Sequence, residues 1–92
     1  MAQNYDWKNL SFDYRKTDCN IRCDFRDGKW GDLVVTTDEY IRMHISTMCL
    51  HYGIEAFEGL KAFRGVDGKV RLFRVDENAK RLQNSASKLC ME

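Results

Sequence analysis

Length, composition and charge limit what this chain can be. Its 92 residues suit one small domain, residues 1–92, that buries only about 60 to 65% of the surface of its unfolded chain. The 15 basic residues nearly balance the 14 acidic ones, and no basic stripe is present, so we expect no nucleic-acid partner. The sequence has neither a signal-like start nor an apolar run near the roughly 20 residues that span a bilayer, which predicts a cytoplasmic protein without a membrane partner.

The four cysteines give no sign of a metal site. Their positions, 19, 23, 49 and 90, contain no paired C-x-x-C spacing, so we expect neither zinc nor redox chemistry of the thioredoxin type. In one strand, Cys19 and Cys23 would lie about 13 Å apart, too far for a disulfide. The sequence therefore predicts reduced thiols and no metal.

The first half of the chain predicts an irregular lead-in followed by strands. Residues 1–20 show no sustained period. Apolar and polar residues then alternate from Ile21 to Phe25, and Asp27-Gly28 suits the tight turn of a hairpin that returns through Trp30. A further strand is predicted over residues 40–45, because its apolar residues again occur at every second position.

A short helix is predicted next. Ser46 or Thr47 suits its N-cap, and Gly59 suits its end. Between them, three apolar residues recur at spacings of four and three: Leu50, Ile54 and Phe57. This spacing places the three side chains on one face of a helix.

The second half ends in a hairpin and a longer helix. Residues 60–64 and 69–74 form the predicted hairpin, with its turn at residues 65–68. Apolar residues then recur at helical spacing, and we expect them to pack on a sheet: Val75, Ala79, Leu82, Ala86 and Leu89. The order of elements predicts an α+β fold with an antiparallel sheet, a short helix and a longer C-terminal helix.

Several motifs in this order resemble one enzyme family. They are Leu50-His51-Tyr52-Gly53, Phe57-Glu58-Gly59-Leu60-Lys61-Ala62-Phe63, Arg71-Leu72-Phe73-Arg74 and Asn78-Ala79-Lys80-Arg81-Leu82. Together they resemble the small N-terminal domain of branched-chain amino acid aminotransferases, which are pyridoxal-phosphate enzymes of fold type IV. The resemblance is strongest over residues 50–91 and weaker over residues 7–45.

The resemblance implies an enzyme of which this chain is an N-terminal fragment. The family transfers the amino group of leucine, isoleucine or valine to 2-oxoglutarate through pyridoxal 5'-phosphate, commonly as a homodimer. Its cofactor forms a Schiff base with a lysine of a second domain, and none of the lysines here matches that residue: Lys8, Lys16, Lys29, Lys61, Lys69, Lys80 and Lys88. We therefore expect no catalytic residue within this chain and no activity from the chain alone.

Arg81 matches the family's arginine that holds the cofactor phosphate. A guanidinium can bind phosphate oxygens through two parallel hydrogen bonds. The alternative on spacing alone is an exposed ion pair with Glu77, four residues earlier on the helix. With the surrounding motif, we expect Arg81 to bind the cofactor.

Tyr52 and Phe57 match aromatic residues that line the family's pocket for the branched side chain of the substrate. In the family the tyrosine reaches into the neighbouring subunit's site. An apolar wall favours leucine, isoleucine and valine over polar analogues. For Phe57 the alternative is core packing with Ile54.

Two further polar residues invite a catalytic interpretation that we did not adopt. His51 has no serine or cysteine partner at a known spacing, so a structural histidine is expected. Glu58 precedes Gly59 and is more simply a hydrogen-bonding or exposed group.

Two other functions remain open on sequence. One is another fold-type IV enzyme, such as a D-amino acid aminotransferase or an aminodeoxychorismate lyase; these usually have an acidic-glycine pair where this chain has His51-Tyr52-Gly53. The other is a non-catalytic binding module that keeps the small-domain fold. The chain also departs from the family, which commonly has proline at the positions of Val75 and Glu92.

Overall fold

The computed structural model describes residues 5–91, in which paired short strands precede and separate two helices. The elements are β1 Asn20–Arg22, β2 Phe25–Arg26, β3 Lys29–Trp30, β4 Val34–Thr36, α1 Met48–His51, β5 Ala62–Arg64, β6 Val70–Leu72 and α2 Val75–Lys88. All strand pairs are antiparallel, which confirms the α+β fold, although the strands form three separate two-stranded ladders. The chain divides into two compact units, Met1–Arg42 and Met43–Glu92.

The first unit is built on the hairpin predicted at Asp27-Gly28. β2 pairs with β3 directly across this turn, and β1 pairs with β4 further along the two arms. Asp27 and Gly28 both have positive φ, 53° and 75°, as a two-residue hairpin turn of type I′ requires. Residues 5–19 contain no helix or strand, whereas Asn20, the last residue of the predicted lead-in, begins β1; residues 1–4 of that prediction lie outside the described residues.

The strand predicted over residues 40–45 is wrong. Residues 37–44 have no regular structure, and a turn follows at Ile45 and Ser46. Local side chains bind the backbone here, since Tyr40 N donates to Asp38 Oδ1 at 2.9 Å and Thr47 Oγ1 donates to the His44 carbonyl at 2.6 Å. Such local bonds compete with a strand ladder. The alternation of apolar and polar residues is not enough to form a strand, because a strand over residues 40–45 would also need a neighbouring strand with which to pair.

The short helix is present, but its predicted extent to Gly59 is wrong. α1 ends at His51, and Tyr52 N donates to the Met48 carbonyl at 2.8 Å to close its last turn. Gly53 follows with φ 63°, a left-handed conformation that glycine adopts without steric cost and that commonly ends helices. Ile54 and Phe57 therefore lie beyond the helix, and the predicted shared face does not form.

The second hairpin confirms the predicted turn at residues 65–68. β5 and β6 pair antiparallel, with Arg64 opposite Val70. Asp67 holds the turn to β6, because Arg71 donates to both of its carboxylate oxygens, at 2.8 and 2.6 Å. Lys69 N also donates to Asp67 Oδ1 at 3.1 Å. These bonds lower the pKa of Asp67 from 3.8 to about 2, with the Arg71 bonds as the largest cause.

The long helix is also confirmed, whereas the expected burial of its apolar face is not. α2 runs over Val75–Lys88 with Asp76 and Glu77 in its first turn and Lys88 in its last, which suits the helix dipole. No residue among 5–91 is buried, and Val75, Leu82 and Leu89 are exposed. Within residues 5–91, the apolar side chains that the sequence predicted to form a core are therefore not buried. No helix in the described range is long and apolar enough to cross a membrane.

We predict that the pKa of Asp67 depends on Arg71. The carboxyl carbon of Asp67, followed by NMR, should titrate with a midpoint of about 2, and Arg71→Met should move that midpoint towards 3.8. Because folding lowers this pKa, the stabilising contribution of the pair is complete above about pH 4 and is lost as pH falls through about 2. An unchanged midpoint in Arg71→Met would contradict this assignment.

Candidate functional site

Arg81 lies on α2 and joins it to the segment between α1 and β5, which has no regular secondary structure. Its Nε donates to Glu58 Oε2 at 2.7 Å, and its Nη2 donates to Glu58 Oε1. Asn78, one turn earlier on the same face of the helix, donates from Nδ2 to Glu58 Oε1 at 3.2 Å and to the Gly59 carbonyl at 3.0 Å. Two side chains of α2 therefore hold the backbone and the carboxylate of one segment.

The side chain of Glu58 is much less exposed than that of Arg81. It is 11% exposed, against 66% for Arg81. The hydrogen bonds from Arg81 are the largest cause that lowers the pKa of Glu58, and the bond from Asn78 lowers it further. Arg81 responds in the opposite sense, since its bonds to Glu58 raise the pKa of the guanidinium. The pair is therefore fully ionised at neutral pH.

The ion pair that the sequence offered as the alternative for Arg81 does not form. Glu77 Oε1 lies 3.4 Å from Lys80 Nζ and 3.9 Å from Arg74 Nη2. Spacing along one helix identified the correct kind of partner for Arg81 and the wrong residue. The true partner is 23 residues away in sequence, where no helical periodicity could indicate it.

Arg81 retains donors that suit a phosphate group. A guanidinium carries five N–H groups, and Glu58 accepts from Nε and from one hydrogen of Nη2. Both hydrogens of Nη1 and the second hydrogen of Nη2 form no hydrogen bond with any residue between 5 and 91. Nη1 and Nη2 together form a two-donor edge, which matches the bidentate geometry of phosphate oxygens. The exposure of Arg81 leaves this edge open to a ligand.

Tyr52 and Phe57 are both open to solvent, and they do not lie on one helix. Tyr52 is the C-cap of α1 and is 79% exposed, whereas Phe57 is 88% exposed and directly precedes Glu58. The ring pairs of the described residues do not include these two side chains. The exposure of Phe57 also contradicts the alternative of core packing with Ile54.

A shallow apolar hollow of about 400 Å³ lies beside the Glu58–Arg81 pair. It is formed by the β5–β6 hairpin and the first turn of α2, and Gly59 and Asn78 belong to its lining. Phe63, Leu72 and Val75 supply apolar surface. The volume falls in the range of small-molecule sites, although its polar groups are fewer than such a site needs to fix a ligand.

The histidines have structural partners. His51 Nε2 donates to the Ile45 carbonyl, the structural role that we expected. His44 Nδ1 lies 2.7 Å from Ser46 Oγ. No cluster of three or more His, Cys, Asp or Glu within residues 5–91 could hold a metal ion.

Sequence reasoning missed the roles of Glu58 and Asn78. The sequence predicts only a hydrogen-bonding or exposed role for Glu58, and Asn78 appears only as the first residue of a motif, without a role of its own. The available signal was the spacing of three between Asn78 and Arg81, which places both on one face of a helix. That signal indicates a shared ligand but does not identify Glu58.

Curated proteins similar to this chain are aminotransferases. The branched-chain-amino-acid aminotransferases of Haemophilus influenzae and Helicobacter pylori are 45% and 44% identical to it over 89 residues, 97% of this chain and 26% of each relative. The cytosolic branched-chain-amino-acid aminotransferase of Rattus norvegicus is 51% identical over 57 residues, 62% of this chain and 14% of the relative. No protein-family model matches the sequence.

The chain has an α+β fold and is similar over nearly its whole length to aminotransferases. Over 97% of its length, the chain is homologous to an N-terminal part of the branched-chain-amino-acid aminotransferases. The chain spans about a quarter of the length of the two bacterial relatives that it matches.

Proposed function

We propose that the full-length protein transfers the amino group of leucine, isoleucine or valine to 2-oxoglutarate with pyridoxal 5'-phosphate as cofactor. The observation that carries this proposal is the similarity to branched-chain aminotransferases over 97% of the chain. Other fold-type IV enzymes and a non-catalytic module are not favoured, because the similar proteins carry the branched-chain name.

Arg81 is proposed to bind the cofactor phosphate. The free edge of its guanidinium offers two parallel donors, and the rigid backbone of α2 fixes where its side chain begins. The charge of Arg81 complements that of the phosphate. A single guanidinium does not complete such a site, so further donors are expected from other parts of the full-length protein.

The cofactor, when bound, withdraws electrons from the α-carbon of the substrate and carries the amino group between substrates. The lysine that holds it is proposed to lie outside these 92 residues. This chain's share of the chemistry is therefore to bind the phosphate and to shape the substrate pocket.

Tyr52 and Phe57 are proposed to line the pocket for the branched side chain. Both aromatic rings are exposed and available to further parts of the protein. Tyr52 lies at the end of α1, whereas Phe57 lies in the irregular segment that follows it. These separate positions suit contacts with two different substrate sites. We propose that Tyr52 contributes to the neighbouring subunit's site in a homodimer, where its ring helps to exclude water from the substrate.

The remaining predictions about the whole protein are also proposals. We propose that residues 1–92 act as one small domain of the enzyme. We further propose a cytoplasmic location, which agrees with the name of the rat relative.

We predict that Arg81→Ala in the full-length protein raises the dissociation constant for pyridoxal 5'-phosphate about 10- to 100-fold. This range corresponds to the loss of charge-assisted hydrogen bonds worth about 1.5 to 3 kcal/mol. The relative preference for leucine, isoleucine and valine should stay the same, because Arg81 does not contact the side chain of the substrate. The measurement is titration of the apoprotein with cofactor.

Lys80→Ala is the matched control for Arg81→Ala. This substitution removes a neighbouring cation of the same helix, and the partners of Lys80 are Asp76 and Glu77 rather than Glu58. The cofactor affinity of Lys80→Ala should equal that of the natural protein. If Arg81→Ala binds the cofactor with the same affinity as the natural protein, Arg81 does not bind the phosphate.

We predict that the isolated 92-residue chain has no transaminase activity. Incubation with cofactor, borohydride reduction and peptide mapping should show no adduct at a single specific lysine, since no lysine of the chain matches the catalytic one. In parallel samples that have not been reduced, transfer of the amino group from leucine should be absent for the isolated chain and present for the full-length protein. A specific lysine adduct accompanied by leucine turnover would contradict the proposal.

A further inference from the structure

We propose that Glu58 is a positioning residue for the cofactor phosphate: its carboxylate fixes the guanidinium of Arg81 so that the free two-donor edge is presented to the phosphate. The inference rests on the proposed role of Arg81. It adds a residue that contacts neither cofactor nor substrate and acts through Arg81. Asn78 supports it by donating to the same carboxylate and to the Gly59 carbonyl.

The geometry of the pair explains why the two ligands of Arg81 do not compete for the same donors. Glu58 occupies the edge formed by Nε and Nη2. The edge formed by Nη1 and the second hydrogen of Nη2 points in another direction in the guanidinium plane. A carboxylate on the first edge therefore fixes the plane and leaves the second edge for phosphate.

The low exposure of Glu58 makes this orientation effective. Arg81 has a long side chain that would otherwise sample many rotamers at 66% exposure. Glu58 comes from a different segment and is only 11% exposed, so it provides a fixed point for a mobile group. Ordering the guanidinium before the cofactor arrives reduces the entropy lost on binding.

Glu58 has two opposing effects on phosphate binding. Its orientation of Arg81 favours binding, whereas its negative charge repels the phosphate. The phosphate and the carboxylate would bind adjacent edges of the guanidinium, so the positive charge of Arg81 would contact both anions. Coulomb energy falls with distance, and this site is open to solvent, which weakens the repulsion further. Orientation should therefore outweigh repulsion.

The test is Glu58→Gln in the full-length apoprotein, with dissociation constants measured for pyridoxal 5'-phosphate and for pyridoxal. Glutamine keeps the size of the side chain but replaces one acceptor oxygen with an NH₂ donor, which opposes a donor of Arg81. We expect roughly 5- to 20-fold weaker binding of the phosphorylated cofactor. Pyridoxal, which lacks the phosphate, should bind as it does to the natural protein.

Glu55→Gln is the matched control, because Glu55 is an exposed glutamate three residues earlier that makes no side-chain hydrogen bond within residues 5–91. It should leave both dissociation constants unchanged. Tighter binding of the phosphorylated cofactor to Glu58→Gln would show that repulsion wins and would overturn the proposal. An equal loss of affinity for both ligands would also overturn the proposal, because it indicates a general structural role. Unchanged affinity for both ligands would overturn it as well.

Glu58→Asp provides a second test should Glu58→Gln fail to fold. Aspartate keeps the charge but is one methylene shorter, so it cannot hold Arg81 in the same place. We expect weaker binding of the phosphorylated cofactor and unchanged binding of pyridoxal; affinity equal to that of the natural protein would overturn the proposal. If the natural protein binds cofactor and transaminates leucine, and both Glu58 variants bind the cofactor with the same affinity, only the inference about Glu58 is wrong. If the natural protein itself does not bind cofactor or transaminate leucine, the proposed function is wrong.

Discussion

The pairing of Glu58 with Arg81 connects two parts of the sequence that carry the family resemblance. Glu58 belongs to the segment that follows α1, and Arg81 lies on the second turn of α2. Asn78 adds a bond to the Gly59 carbonyl, so both backbone and side chain of the segment are held by the helix. The proposed positions of the phosphate donor and of the neighbouring Phe57 depend on this connection.

The exposure of the apolar residues gives this connection additional importance. In a chain with a large core, buried side chains fix the relative positions of helices and loops. Here no residue in the described range is buried, so directed polar bonds are the interactions that locate the segment against α2. Exposed pairs contribute little to stability, but their geometry still orients a charged side chain. The side chains proposed to bind cofactor and substrate are therefore exposed to solvent in the described residues.

The sequence predicted features that depend on a few neighbouring residues. Positive φ at Asp27 and Gly28 follows from local turn chemistry, and the recurring apolar residues of α2 require only helical spacing. It failed where a distant partner or a single glycine decides the structure. Gly53 ends α1 before Ile54, and Glu58 rather than Glu77 binds Arg81. The motif supplied only the proposal that Arg81 binds phosphate, whereas the fold identified Glu58 as the residue that binds Arg81.

A double-mutant cycle on cofactor affinity tests this account most directly. The dissociation constant for pyridoxal 5'-phosphate would be measured for the natural full-length protein, Glu58→Gln, Arg81→Met and the double variant. Because Glu58 is held to act only through Arg81, Glu58→Gln should weaken binding in the natural protein and have no further effect in the Arg81→Met background. Additive losses, with Glu58→Gln equally costly in both backgrounds, would contradict the account.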